Sequence, residues 1–329
     1  MDNSYLDGSG YDRETVAFYD VAHEGAQVRT VAGVLDQLAG LYGLNPRSVV
    51  VLPTDQVSHA AARFVTAVRS PLRLPVVVTD TLPGYVGALD VVIAVGDRGE
   101  DPELSQALLT AARRGAVTIL AGPAQGPILE DAPDDCVIVP ASPTAVGPSP
   151  SRAITVVGTV LDLLEEDPDL VGQRLQEVAD AVDAELEQLS PERDELVNPG
   201  RQLRAFVEGA RVLHTGRSRL GRALAEIVAT IWSTKGLPSG FVEADELGTA
   251  LAAGPAAPAA DDIFHDPYLD GPAVVLPLKT IVWAEEEAGL AHSLAVHCES
   301  PGLGDSASAL KLITRGFAAT AYEARVEEI

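Results

Sequence analysis

Lysine is almost missing from this chain. Only Lys235, Lys279 and Lys311 occur in 329 residues, and 48 acidic against 23 basic residues leave a formal net charge of −25. So little positive charge argues against nucleic acid, whose phosphates a binding protein neutralises with Lys and Arg. It argues equally against an anionic membrane surface. The preference for arginine has two readings, a GC-rich coding sequence or bidentate phosphate contacts, and composition does not separate them. Cysteine occurs twice, at Cys136 and Cys298, far apart and both in strand-like runs. This predicts buried free thiols rather than a disulfide framework or a thiolate metal site, and with them a cytoplasmic location. No apolar run reaches the length of a membrane-spanning helix. The opening MDNSYLDGSGYDRE has no basic or apolar leader region, so no secretory signal is expected. What is abundant is hydrophobic residues, 47 %, enough for one large or two ordinary domains.

These residues are organised as short β-branched runs alternating with helical periodicity. SVVVL (48–52), PVVVT (75–79), DVVIAV (90–95), AVTILAG (116–122) and DCVIVP (135–140) predict strands. The intervening 57–68 and 102–113 predict helices, the second with Asp101 as N-cap, Pro102 at the first position and Gly115 past the end. A small-residue connector, 141–151, leads to the apolar helix RAITVVGTVLDLLEE and then to a charged helix over about 170–189. Glu185 and Glu187 on the latter predict a solvated face. After SPERDELVNPG (190–200) the pattern restarts with the strand ARVLHTG, the helix RLGRALAEIVATIWSTKG, the strand SGFVEA and the short helix DELGTALA. AVVLPL (273–278) is then read as a strand, KTIVWAEEEAG as a helix, SLAVHCES as a strand, and the chain closes on an amphipathic helix. The fold expected is α/β: two tandem doubly wound domains, each a parallel sheet flanked by helices and each repeating one plan. The division is an N-terminal segment and helix (1–44), a first domain (45–150), a helical connector (151–200) and a second domain (201–329).

Three strand–loop–helix stretches carry candidate chemistry, because a helix N-terminus after a parallel strand is where such sheets bind phosphate. In VVIAVGDRGEDPEL (91–104), Arg98 and Gly99 sit among Asp97, Glu100 and Asp101, which makes the loop either a phosphate cradle or a solvated loop with a structural ion pair. LPTDQVSHAAARF (52–64) offers the hydroxyls of Thr54 and Ser58 but no glycine, and Thr54 or Asp55 reads equally well as a plain N-cap. VLHTGRSRLGRAL (212–224) gathers Thr215, Gly216, Arg217, Ser218, Arg219 and Arg222. Hydroxyls and arginines at a helix start suit a phosphate; the competing reading pairs the arginines with the acidic helices at 165–195. DDIFHDPYLDGP (261–272) brings Asp261, Asp262, His265 and Asp266 together as conceivable metal ligands, or as a loop over the cleft between the halves. The reading calls for no metal and no cofactor.

The order of these segments resembles the SIS (sugar isomerase) superfamily, and within it the bifunctional phosphoglucose/phosphomannose isomerases. Pro83, Gly84 and Tyr85 match that branch's L-P-x-Y/F segment, Arg114, Gly115 and Ala116 match its R-G-A, and ALKLITRGFAATAYEA (309–324) is similar to its C-terminal helix. The 261–272 segment resembles SIS-type proteins labelled TobH. The resemblance implies a sugar phosphate as ligand and a homodimer whose site draws on both subunits. It also implies an aldose–ketose isomerisation through an enediol, using a Glu base and a ring-opening His. The departures are specific. Aligned on Gly99, the family's S-x-S-G-N-T loop has Gly96, Arg98 and Asp101 in place of its hydroxyls. In FVEADELG (241–248) Glu246 and Leu247 match, but Ala244 stands at the His position, and TIWSTKG lacks the expected carboxylate. The reading is therefore a phosphosugar-binding protein whose isomerase chemistry is degenerate. An active isomerase on glucose 6-phosphate or mannose 6-phosphate, with Glu246 and His265 as candidate acid/base groups, and a structural partner of another enzyme are the alternatives.

Overall fold

The computed structural model describes residues 12–142, 145–253, 276–299, 302 and 304–323. Three N-terminal helices, α1 (Arg13–Val21), α2 (Glu24–Ala32) and α3 (Leu35–Leu38), lead into β1 (Ser48–Pro53), α4 (Gln56–Val68), β2 (Val76–Val78) and β3 (Asp90–Val95). There follow α5 (Pro102–Arg113), β4 (Val117–Ala121), α6 (Pro127–Glu130) and β5 (Val137–Ile138), then the helices α7 (Pro150–Leu163), α8 (Pro168–Gln188) and α9 (Pro199–Val207). The last part is β6 (Arg211–Thr215), α10 (Arg219–Thr234), β7 (Ser239–Phe241), α11 (Leu247–Ala252), β8 (Leu278–Trp283), β9 (Ser293–Val296) and α12 (Asp305–Ala318). Four helices open on a capping residue followed by proline: Asp101-Pro102, Ser149-Pro150, Asp167-Pro168 and Asn198-Pro199. The cap side chain accepts a first-turn N–H, and proline has the helical φ and no N–H to leave unpaired.

The strands form two parallel sheets, one in the order β2-β1-β3-β4-β5 and one in the order β7-β6-β8-β9. Among the described residues the four strands of the second follow the order of the first four of the first. In the first sheet Val49, Val51, Val91 and Ile93 enter one core and Val50, Leu52, Val92 and Ala94 another. Successive strand side chains point to opposite faces, so an unbroken apolar run is a strand covered on both. The larger core is continuous through both sheets: it holds Ala61 and Val65 of α4, Ile227 and Ile231 of α10, and residues of α7, α8 and α12.

Two expectations are corrected. KTIVW is not helical but belongs to β8, with Thr280, Ile281, Val282 and Trp283 buried between β6 and β9. The predicted strand 273–278 shares only Leu278 with β8, and its residues 273–275 lie outside the described residues. Pro277 explains the shift, since proline cannot donate to the ladder of a central strand, whereas Thr, Ile, Val and Trp suit one. Glu185 does not lie on a solvated face; it is 2 % exposed, accepting from Arg315 Nε at 2.8 Å and lying 3.4 Å from Lys311 Nζ of α12. Glu187 is exposed. Among the described residues no helix is long and apolar enough to cross a membrane.

Candidate functional site

In a parallel sheet the adjacent strands whose connections leave in opposite directions open a crevice beyond their carboxyl ends. Here those pairs are β1/β3 and β6/β8. The crevice at β1/β3 continues into a polar cleft of about 400 Å³, lined by Thr54, Asp55, His59, Arg63, Asp80 and Arg98, with Glu226 and Thr230 of α10 on its far side.

The floor of this crevice is knitted to itself. Asp55 is the N-cap of α4: its Oδ1 accepts from Ser58 N at 2.8 Å, and its Oδ2 accepts from Ser58 Oγ at 2.9 Å and from the backbone N of Asp97 at 2.9 Å. Thr54 Oγ1 accepts from Arg98 N at 3.0 Å. Gly96 stands at φ +140°, where a Cβ would collide with Thr54, Asp55 and Ser58. A carboxylate of the protein thus occupies the positive end of α4, where an incoming phosphate would sit. The charge is crowded: burial, and then the Asp55 carboxylate, push the Asp97 carboxyl above its ordinary range, opposed by Arg152. Gly99 is packed away from the cleft, its carbonyl accepting from Ile128 N at 3.0 Å and Pro123 leaving no room for a Cβ. Arg98 is exposed at the cleft, and its guanidinium has no polar partner among the described residues. Across the cleft the basic side chains have carboxylate neighbours, His59 Nδ1 lying 3.6 Å from Asp80 and Arg63 2.9 Å from Glu226.

The second crevice is closed. Arg217 donates to the carbonyls of Ala288 at 2.8 Å and Glu287 at 3.5 Å, tying the loop after β6 to the loop after β8. Ser218 caps α10 through Gly221 N at 3.0 Å, and Gly216 and Gly221 are pressed together, with Trp283 against Gly221, too tightly for any Cβ. Thr215 is buried beneath, its hydroxyl without a partner. Arg219 donates to the Ser70 carbonyl just beyond the C-terminus of α4, where a cation meets the negative end of the helix dipole, and Arg222 pairs with Glu243. None of the three pairs with the acidic helices at 165–195, correcting that expectation. The acidic helix α8 takes Arg29 and Arg315 instead.

The ion pair Arg63–Glu226 and the contact Arg219–Ser70 fix α4 and α10 as antiparallel. Thr54, Ser58 and Arg98 therefore lie at one end of this helix pair and Arg217, Ser218 and Arg219 at the other. Along the 13 residues of α4 the separation is roughly 20 Å, so the two sets do not converge on one small ligand. Glu246 is exposed on the turn before α11 and does not line the cleft. His265 and the carboxylates of 261–266 fall outside the described residues. His59, Arg63, Asp80 and Glu226 are the cleft residues that sequence reasoning did not assemble; only the helical spacing of His59 and Arg63 was there to be noticed.

No protein-family model and no curated protein matches the chain. Solved structures do. The C-terminal domain of glucosamine-fructose-6-phosphate aminotransferase from Francisella tularensis superposes with a TM-score of 0.58 at 11 % identity, over 95 % of this chain and 96 % of that one. For tagatose-6-phosphate ketose/aldose isomerase from Escherichia coli the TM-score is 0.53 at 16 % identity, over 95 % and 93 %. A protein from Silicibacter pomeroyi provisionally described as a phosphosugar isomerase gives 0.57 at 14 %, over 94 % and 96 %. With two parallel sheets flanked by helices and more than nine-tenths of its length superposed, this chain shares the fold of these structures.

Proposed function

We propose that this protein binds a sugar phosphate at the β1/β3 crevice and has lost the isomerase chemistry of its fold, its two sheets being the cores of tandem domains. The observation that carries the reading is Arg98. Its guanidinium, without a polar partner among the described residues, stands at the carboxyl end of the sheet and faces a polar cleft of about 400 Å³. A guanidinium suits a phosphate, and the carboxylates of Asp55, Asp80 and Glu226 are acceptors for sugar hydroxyls. The N-terminus of α4, filled by Asp55, is not the phosphate subsite in this arrangement. Arg217, Ser218 and Arg219 serve the closed second crevice and the helix pair.

Titration calorimetry with glucose 6-, fructose 6-, mannose 6- and glucosamine 6-phosphate, beside inorganic phosphate, tests this. One sugar phosphate is expected to bind, to be lost with Arg98→Glu and to be kept with Arg217→Ala. No binding by any of the four overturns the reading. Binding lost only with Arg217→Ala moves the site to the second crevice.

A second reading has one observation in its favour: His59 and Glu226 share the cleft. A His for ring opening and a Glu as base are what an aldose–ketose isomerase needs. Interconversion of glucose 6- and fructose 6-phosphate by the pure protein, abolished by His59→Gln, would establish it.

A further inference from the structure

Away from both crevices, α4, α7, α8 and α12 enclose a cavity of about 260 Å³. Its walls are apolar, with Phe64, Ile154, Val178 and Leu310 among them. Two hydroxyl residues of α7 interrupt the apolar wall, and Arg69, Asp162, Arg174, Asp305 and Ser306 form the polar rim. Thr155 and Thr159, one turn apart on the same face of α7, are 6 % and 2 % exposed, and neither hydroxyl has a hydrogen-bond partner among the described residues. Thr314 of α12 is a third buried helical threonine with no partner among the described residues, but it does not line this cavity. A helical threonine ordinarily returns its hydroxyl proton to the preceding turn, as Thr66 does to the Arg63 carbonyl at 2.8 Å and Thr230 to the Glu226 carbonyl at 2.9 Å. A buried hydroxyl left unpaired costs free energy, so two of them on one cavity wall call for an occupant.

The mouth says which kind. Arg69 meets both carboxylate oxygens of Asp162, and Arg174 lies 3.1 Å from Asp162 and 2.9 Å from Glu166. Both guanidiniums lie against carboxylates, so an anion would have to displace one, and beyond the exposed Asp305 and Ser306 at the rim the apolar walls offer nothing to the hydroxyls of a sugar. We propose that this cavity is a binding site for a small uncharged molecule with a compact apolar body and one hydrogen-bonding oxygen, the oxygen meeting Thr155 and Thr159. Its volume lies just under the ~300–1,000 Å³ range of ligand pockets, which limits the body to about one ring. The inference is independent of the phosphosugar reading, since the two sites share no lining residue.

The test uses p-cresol and toluene, the same ring with and without an oxygen, titrated against the full chain by ligand-observed NMR and thermal shift. The expected result is saturable binding of p-cresol about tenfold tighter than toluene, the preference one net hydrogen bond supplies. In Thr155→Val/Thr159→Val that preference falls to about one, with toluene binding kept. Ala309→Leu, which fills the cavity from α12, removes both. If p-cresol shows no saturable binding, or keeps its preference in the double Thr variant, the proposal is wrong and the cavity holds only water.

Discussion

Asp55 Oδ2 accepts the backbone N–H of Asp97 at 2.9 Å, so the carboxylate that caps α4 also anchors the loop after β3. One side chain does what a bound anion does at this place in a parallel sheet. Replacing it should therefore expose an anion site. Asp55→Ala is expected to lower stability by about 1–2 kcal/mol, the usual cost of a lost N-cap. Millimolar inorganic phosphate should then raise the melting temperature of the variant and leave that of the parent chain unchanged. Paired thermal melts with and without phosphate check both halves of the statement.

The same crowding makes Asp97 a liability near neutral pH. Burial and Asp55 hold its carboxyl above the ordinary range, so its ionised form is disfavoured in the folded state. A raised carboxyl favours folding only where it is protonated. The penalty is full above the folded value and vanishes below the unfolded one, near pH 4. Asp97→Asn should be more stable than the parent at pH 7, with the gain disappearing as pH falls to about 4. Urea unfolding across that range measures it, and a gain that grew on acidification would contradict the assignment.

His214 gives the opposite slope. It is fully buried, its Nδ1 accepting from Trp283 Nε1 at 3.0 Å, its ring edge-on to Trp232 and its Nε2 without a partner. Burial pushes its pKa down to about 3. A depressed imidazole contributes stability that is complete above the unfolded value of about 6.5 and is lost as pH falls toward the folded one. Between pH 6 and 4 the chain should lose up to about 1.4 kcal/mol per pH unit through this residue. The His214 imidazole signals in NMR should stay unshifted from pH 8 to 5, and His214→Leu should flatten the acid limb of the stability curve.

Glu185 and Glu187 separate a buried charge from a solvated one. Glu185→Ala strands Arg315, whose side chain is 11 % exposed, and should cost about 3–5 kcal/mol. Glu187→Ala should fall within about 0.5 kcal/mol of the parent. Chemical denaturation of the two single variants is the measurement; equal effects would mean that the ion pair to α12 contributes nothing.

Much of the fold was legible because its causes are local. β-branched runs announced most strands, and Asp101-Pro102 marked a helix start at its true position, whereas Ser149-Pro150, Asp167-Pro168 and Asn198-Pro199 start helices that the sequence reading began later or did not expect. The misplaced stretch 273–289 failed where a local cue, the proline at 277, was given too little weight against an apolar run. Nearness in sequence also told correctly that Thr54, Ser58 and Arg98 belong to strand–loop–helix junctions.

What those junctions do was decided by residues distant in the chain. Asp55 is an ordinary N-cap until Asp97, 42 positions on, brings its N–H to the same oxygen. Arg217 is a candidate phosphate ligand until the loop at 287–288 arrives to take its protons. The direction in which α10 packs on α4 splits one imagined site into two ends of a helix pair. Backbone propensity and capping act over a few residues, so one sequence determines them. Which charges are neutralised, and which guanidinium stays open to a ligand, follows from contacts between elements that only the packed tertiary structure brings within hydrogen-bonding reach.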